Sequence, residues 1–219
     1  MYNLAAPAPD CIRIVGIDPG TDTLGVAIVD VNIETKEYKL MYGHTFHASK
    51  YVNEYPEMVQ VRGSRDVRLK MLRQLLVEFF MLAEPELIAA ESPFLQRGKV
   101  SAFEALVECY AMMREAVWAY SSQITLQRID PVTVKNYVGV SHKGTDKTDV
   151  HRAVNAIYKD RCSEYVDLST FDEHANDAVA VCHVVVRNRI LGEVVESTRK
   201  KKAKRRSKNE RRRGGKAVR

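Results

Sequence analysis

Ile14-Val15-Gly16-Ile17-Asp18-Pro19-Gly20-Thr21-Asp22-Thr23-Leu24-Gly25-Val26-Ala27-Ile28 is the stretch from which the rest of the chain is read. An apolar run ends on an aspartate, the chain turns at Pro-Gly, and a second alternating apolar run follows. That pattern predicts a β-hairpin with a single acid set into a buried strand. A buried carboxylate is costly without a compensating cation, and a metal ion is the usual partner. Asp before Pro-Gly is also ordinary turn chemistry. On this stretch alone the two readings stand level.

Working outward, the hairpin strands are placed at 12–18 and 24–30, and a third strand at 38–46 completes an antiparallel meander. Residues 47–56 read as a loop, in which His44 and His47 at its edge are ordinary surface histidines. Apolar residues at helical spacing, Val67, Met71, Leu75, Phe79 and Leu82 with Leu72 and Leu76 beside them, predict a long helix over 57–83, interrupted near Gly63. Leu87-Ile88-Ala89-Ala90 then has the composition of a buried parallel strand, and it stops at Glu91. Two buried strands thus each deliver one acid.

After the loop Ser92–Lys99, an unusually apolar helix is expected over 101–120, central to the core or part of a subunit interface. A fifth strand is placed at 123–129. Asp130-Pro131 opens a short helix as N-cap and first-turn proline. A further helix spans roughly 147–160 behind Asp146. Thr170-x-x-Glu173 reads as a capping box for a last helix, apolar through Ile190. The order βββαβαβα predicts an α/β fold with a mixed five-stranded sheet flanked by helices.

The chain has 219 residues and 45% hydrophobic content, enough for one well-buried domain. We place a lead-in at 1–10, a folded domain at 11–197 and a tail at 198–219. No apolar run approaches the ~20 residues that a membrane span needs. The four cysteines, Cys11, Cys109, Cys162 and Cys182, form no close-spaced pair and read as free thiols, as expected of an intracellular, cytoplasmic protein. The net charge of +6 is unevenly spread. Of the 34 basic residues 13 lie in 199–219 beside one acid, so that stretch carries +12 and residues 1–198 carry −6. A cationic tail on an acidic body points to a polyanion, with nucleic acid first. A solubilising end or a nuclear address would have the same composition.

Asp172, Glu173, His174 and Asp177 crowd the start of the last helix. Acids there are favoured by the helix dipole, which accounts for Asp172 and Glu173. His174 and Asp177, three apart, share a face. If that face meets the carboxyl ends of the strands, they join Asp18 and Glu91. Three carboxylates and an imidazole are what a pair of divalent cations requires.

Gly16-Ile17-Asp18-Pro19-Gly20-Thr21, the strand ending Ala90-Glu91, and Glu173-His174-Ala175-Asn176-Asp177-Ala178 resemble the three acidic motifs of RuvC-type Holliday-junction resolvases, a family of the RNase H-like (retroviral integrase) superfamily. Pro131-Val132-Thr133-Val134-Lys135 and Gly144-Thr145-Asp146-Lys147-Thr148-Asp149-Val150 are similar to its two lysine elements, and Phe94 falls where the family places an aromatic wedge. The resemblance covers about 12–190. Three features depart from it. His174 stands where many bacterial members carry aspartate, one extra residue separates Lys135 from Lys147, and the basic tail looks like that of a phage or otherwise divergent relative.

The resemblance implies a homodimeric, metal-dependent endonuclease that cuts Holliday junctions and other branched DNA. Two Mg²⁺ ions, replaceable by Mn²⁺, would be held by Asp18, Glu91, His174 and Asp177, with Lys147 near the scissile phosphate. DNA contacts are assigned to Phe94, Arg97, Lys99, Lys135 and Lys143, and in the tail to Lys200, Lys201, Lys202, Arg205 and Arg206. Phe94 and Leu95 tucked beneath the domain is the plain alternative. Other functional readings are a non-catalytic branched-DNA binder, an RNA-processing nuclease of the same superfamily, and an actin-like or sugar-kinase-type phosphotransferase. The last would need a second phosphate-binding loop and a second domain that this length does not accommodate.

Overall fold

A computed structural model describes residues 4, 6–95, 98–140 and 147–193, with the backbone alone for Lys147. Strands β1 (Cys11–Asp18), β2 (Thr23–Asn32) and β3 (Tyr38–His47) form the expected meander, and β4 (Leu87–Glu91) and β5 (Leu126–Ile129) complete the sheet. Its order is β3-β2-β1-β4-β5. The β1–β2 and β2–β3 pairs are antiparallel; β1–β4 and β4–β5 are parallel.

The period-two alternation of β1 sorts its side chains between two cores. Val15 and Ile17 pack with Leu72, Leu76, Phe79 and Phe80 of helix α3 (Ser64–Ala83) and with Met113 of α4 (Val100–Tyr120). Ile14 faces the other way, towards Val134 of α5 (Pro131–Tyr137), Val154 and Tyr158 of α6 (Lys147–Tyr158), and Val179 of α7 (Glu173–Val185). Helices therefore cover both faces of a mixed sheet.

Several local expectations are corrected. Residues 47–56 are not all loop, because α1 (Ala48–Val52) buries Ala48 and Val52 against the core. The long helix is interrupted at Gly63 (φ +83°), as read, giving α2 (Pro56–Arg62) and α3. The face of α3 that packs is Val67-Leu72-Leu76-Phe79-Phe80-Ala83, whereas Leu82 is half exposed. The fifth strand is shorter than 123–129. Thr170 does not cap α7; it closes a single 3₁₀ turn, Leu168–Thr170, with its hydroxyl donating to the Asp167 carbonyl. Asp172 is the N-cap, its carboxylate accepting from the Ala175 amide at 2.9 Å. Asp130 caps α5 as read, accepting from Val132 N.

Sequence reasoning missed a buried ion pair. Arg13 and Asp30, cross-strand neighbours on β1 and β2, form two parallel contacts of 2.7 Å, and a third guanidinium nitrogen donates to the Ala83 carbonyl. The fork geometry and the extra acceptor offset much of the desolvation of both charges. Cys109 and Cys182 are buried, Cys11 and Cys162 are partly so, and all four thiols are free. Among the described residues no helix is long and apolar enough to cross a membrane.

Candidate active site

The register of the sheet places the first two acids. Ile17 pairs with Ala90 across the parallel β1–β4 ladder, so Asp18 and Glu91 follow at adjacent strand ends. Ile17 and Ala90 belong to the core under α3 and α4. The alternation therefore turns the next residues, Asp18 and Glu91, to the face covered by α5 and α7. Carboxyl ends of parallel strands are where an open α/β sheet presents its crevice.

The third motif arrives on α7, which lies close on the hairpin. Gly25 is the cross-strand partner of Asp18. A Cβ at Gly25 would stand 2.0 Å from the His174 carbonyl oxygen, so only glycine lets the first turn of α7 approach this strand. Thr45 of β3 fixes the same turn, its hydroxyl donating to the N-cap Asp172 at 2.5 Å.

As a result His174 Nδ1 lies 2.7 Å from Asp18 Oδ2, although 156 residues separate them, and His174 Nε2 lies 2.9 Å from Thr23 Oγ1. Asp18 is 8% exposed. Asp177, one helical turn beyond His174, lines a cleft of about 270 Å³ together with Pro19, Glu91, Ser92, Phe94, Leu106, Pro131, Val134, Lys135 and Val150.

The electrostatics report how crowded the acids are. Burial pushes the Glu91 carboxyl up to about 8, and the charges of Asp18 and Asp177 push in the same direction, against a smaller opposing pull from Lys135. A carboxyl held protonated to neutral pH beside two other acids is a site short of positive charge. The donor chemistry, hard carboxylate oxygens with one imidazole, fits divalent cations. Among the described residues, however, no three His, Cys, Asp or Glu side chains are grouped as a cation site. His174 is instead engaged at both ring nitrogens.

Of the remaining predicted residues, Lys135 lines the cleft and Phe94 sits at its mouth, 48% exposed, so Phe94 is not tucked beneath the domain. Lys99 is exposed at the start of α4. Arg97, Lys143, Lys200, Lys201, Lys202, Arg205 and Arg206 lie outside the described residues, as does the side chain of Lys147. Thr23, Gly25 and Thr45 were not singled out from sequence as site residues. Thr23 and Gly25 sit in the opening stretch, but nothing local marks a strand threonine or glycine as the contact of a helix 150 residues away.

No family model matches the chain. It is 29% identical over 140 residues to the crossover junction endodeoxyribonuclease RuvC of Xanthomonas axonopodis pv. citri, covering 58% of this chain and 74% of that one. To the protein of the same name from Mesorhizobium japonicum it is 29% identical over 178 residues, 80% of this chain and 90% of the other. Among solved structures, T. thermophilus RuvC in complex with a Holliday junction substrate superposes with a TM-score of 0.60 at 19% identity, over 83% of this chain and 97% of that one. The fowlpox virus Holliday junction resolvase does so at 0.51 and 9%, over 81% and 99%. The chain is therefore RuvC-like in sequence and carries the RuvC-type, RNase H-like fold.

Proposed function

We propose that this protein is a structure-selective endonuclease that hydrolyses phosphodiesters in Holliday junctions and related branched DNA. The observation that carries the reading is the register that sets Asp18 and Glu91 at neighbouring strand ends, with Asp177 in the same cleft and Glu91 driven up to about 8 by burial and by that company. A pure DNA-binding module gains nothing from clustering acids where a phosphate backbone must approach. Their repulsion is useful when cations are recruited between protein and phosphate.

In this reading Asp18, Glu91 and Asp177, with His174 at one side, hold two Mg²⁺ ions, and Mn²⁺ substitutes well because imidazole suits it better. When bound, such ions supply a hydroxide nucleophile and stabilise the leaving oxygen. The chain's own residues do the rest. Lys135, at the cleft wall, binds the DNA backbone, and Phe94 at the mouth inserts among bases at the branch. The family resemblance assigns Lys147 to the scissile phosphate. Two symmetric cuts on a four-way junction call for a C₂ homodimer, for which α4 offers exposed Val100, Val107 and Trp118. Light scattering at working concentration tests this, and a monomer overturns it.

The decisive experiment is a panel of four-way junction, fork, flap and linear DNAs with Mg²⁺, Mn²⁺ or chelator. Paired nicks in the junction, with either ion and not with chelator, are expected. Asp18→Asn should abolish nicking and leave junction binding largely intact. An Asp18→Asn protein that still cuts overturns the assignment, and cleavage of RNA hairpins in preference to the junction would transfer the site to RNA processing.

A further inference from the structure

The contact between Thr23 and His174 has no part in the scheme above, and it settles how the imidazole is presented. Both ring nitrogens are engaged, Nδ1 with Asp18 Oδ2 at 2.7 Å and Nε2 with Thr23 Oγ1 at 2.9 Å. A hydroxyl can donate or accept. With the Thr23 hydroxyl donating, Nδ1 carries the hydrogen and donates to Asp18. With the hydroxyl accepting from Nε2–H, the Nδ1 lone pair faces the same carboxylate and is available to a cation that Asp18 also binds. Thr23 satisfies either tautomer without moving the ring.

We propose that Thr23 is the positioning residue of the metal site: it aims Nδ1 of His174 at the Asp18 side of the cleft and accepts the Nε2 hydrogen when a divalent cation is bound. The proposal rests on the nuclease reading above. Metal-ligating histidines characteristically give their second N–H to an outer acceptor, which fixes tautomer and ring orientation. Thr23 is itself fixed. It opens β2, and Gly20 lies so close beneath it that a Cβ there would stand 2.1 Å from the Thr23 carbonyl oxygen. Two residues along the same strand, Gly25 receives the backbone of His174. Backbone and ring tip of His174 are thus both referenced to β2, the strand hydrogen-bonded to the one that bears Asp18.

The test is Mn²⁺ titration by calorimetry of the full-length, chelator-stripped protein, comparing wild type with Thr23→Val, Thr23→Ser and Asp18→Asn, each first checked by thermal melting for retained fold. Thr23→Val should weaken Mn²⁺ binding by about 10–100-fold, the usual loss for an outer partner. Thr23→Ser should bind as wild type, because it restores the hydroxyl. Junction cleavage by Thr23→Val should recover at saturating Mn²⁺, whereas junction binding in chelator should not change. Wild-type Mn²⁺ affinity in Thr23→Val, or an equal loss in Thr23→Ser, overturns the role of the hydroxyl if Asp18→Asn has lost the ion. Mn²⁺ bound equally well by Asp18→Asn would instead overturn the metal-site reading itself.

Discussion

Asp18 and Glu91 are chemically similar acids at the ends of neighbouring strands, yet the fold treats them differently. Asp18 has an imidazole at 2.7 Å. Glu91 is raised to about 8 by burial and by two nearby carboxylates. The consequence for stability follows from the sign of that shift. A folded-state value above the ordinary 4.5 means that the native protein holds a proton the unfolded chain has released, so this contribution is intact below about 4.5 and is lost as pH rises through about 8. Metal-free wild-type protein should therefore melt at falling temperature as pH rises from about 6.5 to 8.5. Glu91→Gln should flatten that part of the profile, with about 2–4 °C recovered at pH 8.5 for each kcal/mol restored. Thermal melts in chelator check it, and parallel profiles would mean that Glu91 is not so perturbed. Added Mg²⁺ should narrow the gap at high pH, because a cation favours the ionised carboxylate.

Helix α7 is the element on which the site depends, and its position is set by small residues on the sheet rather than by its own sequence. The packing of its first turn on Gly25 brings His174 within reach of Asp18. Gly25→Ala should push that turn outward, because the obstructing atom is a backbone oxygen that cannot rotate aside. Over-packing of this kind costs about 1–3 kcal/mol. The greater effect is expected in cleavage, where a displacement near 1 Å can cost about a hundredfold. Comparison of junction cleavage with the melting temperature separates the two, and an unimpaired rate would show that α7 need not lie so close. Further along the same helix, His183 is fully buried between the rings of Tyr38 and Tyr158, and burial lowers it to about 4. It enters the native state neutral. The stability that neutral His183 contributes should be lost as pH falls from the ordinary 6.5 towards 4, offsetting the opposite slope of Glu91 in that window, and His183→Phe should remove this acid-side contribution in a pH series of denaturant melts.

Over the whole molecule charge is segregated, with −6 on residues 1–198 and +12 on 199–219. An acidic body whose cleft is lined by carboxylates offers DNA few cations beyond Lys135, so the basic tail is expected to add to attachment. Lysines and arginines act through counterion release with little preference for base sequence. Deletion of 199–219 should weaken junction binding and reduce the slope of log K against log salt by about 0.9 for each phosphate the tail neutralises. Filter binding across a salt series measures it, and an unchanged slope would show that the tail does not touch DNA.

The sequence by itself determined the strand ends that carry Asp18 and Glu91 and the face shared by His174 and Asp177. Period-two and period-3.6 patterning is local and reports which side of an element is apolar. It also marked Asp130 as a cap, since that hydrogen bond spans two residues. It misplaced the cap of α7 from Asp172 to Thr170, because the choice depends on Thr45 of a distant strand. It gave Leu82 to the buried face of α3, because the edge of an apolar stripe is decided by what packs there. Only the tertiary structure decided that His174 bonds Asp18 and Thr23, that Glu91 is raised to about 8, and that Arg13 and Asp30 pair inside the sheet. Each of these is a distance or a desolvation between residues far apart in the chain, and such quantities exist only once the sheet and its helices have closed on one another.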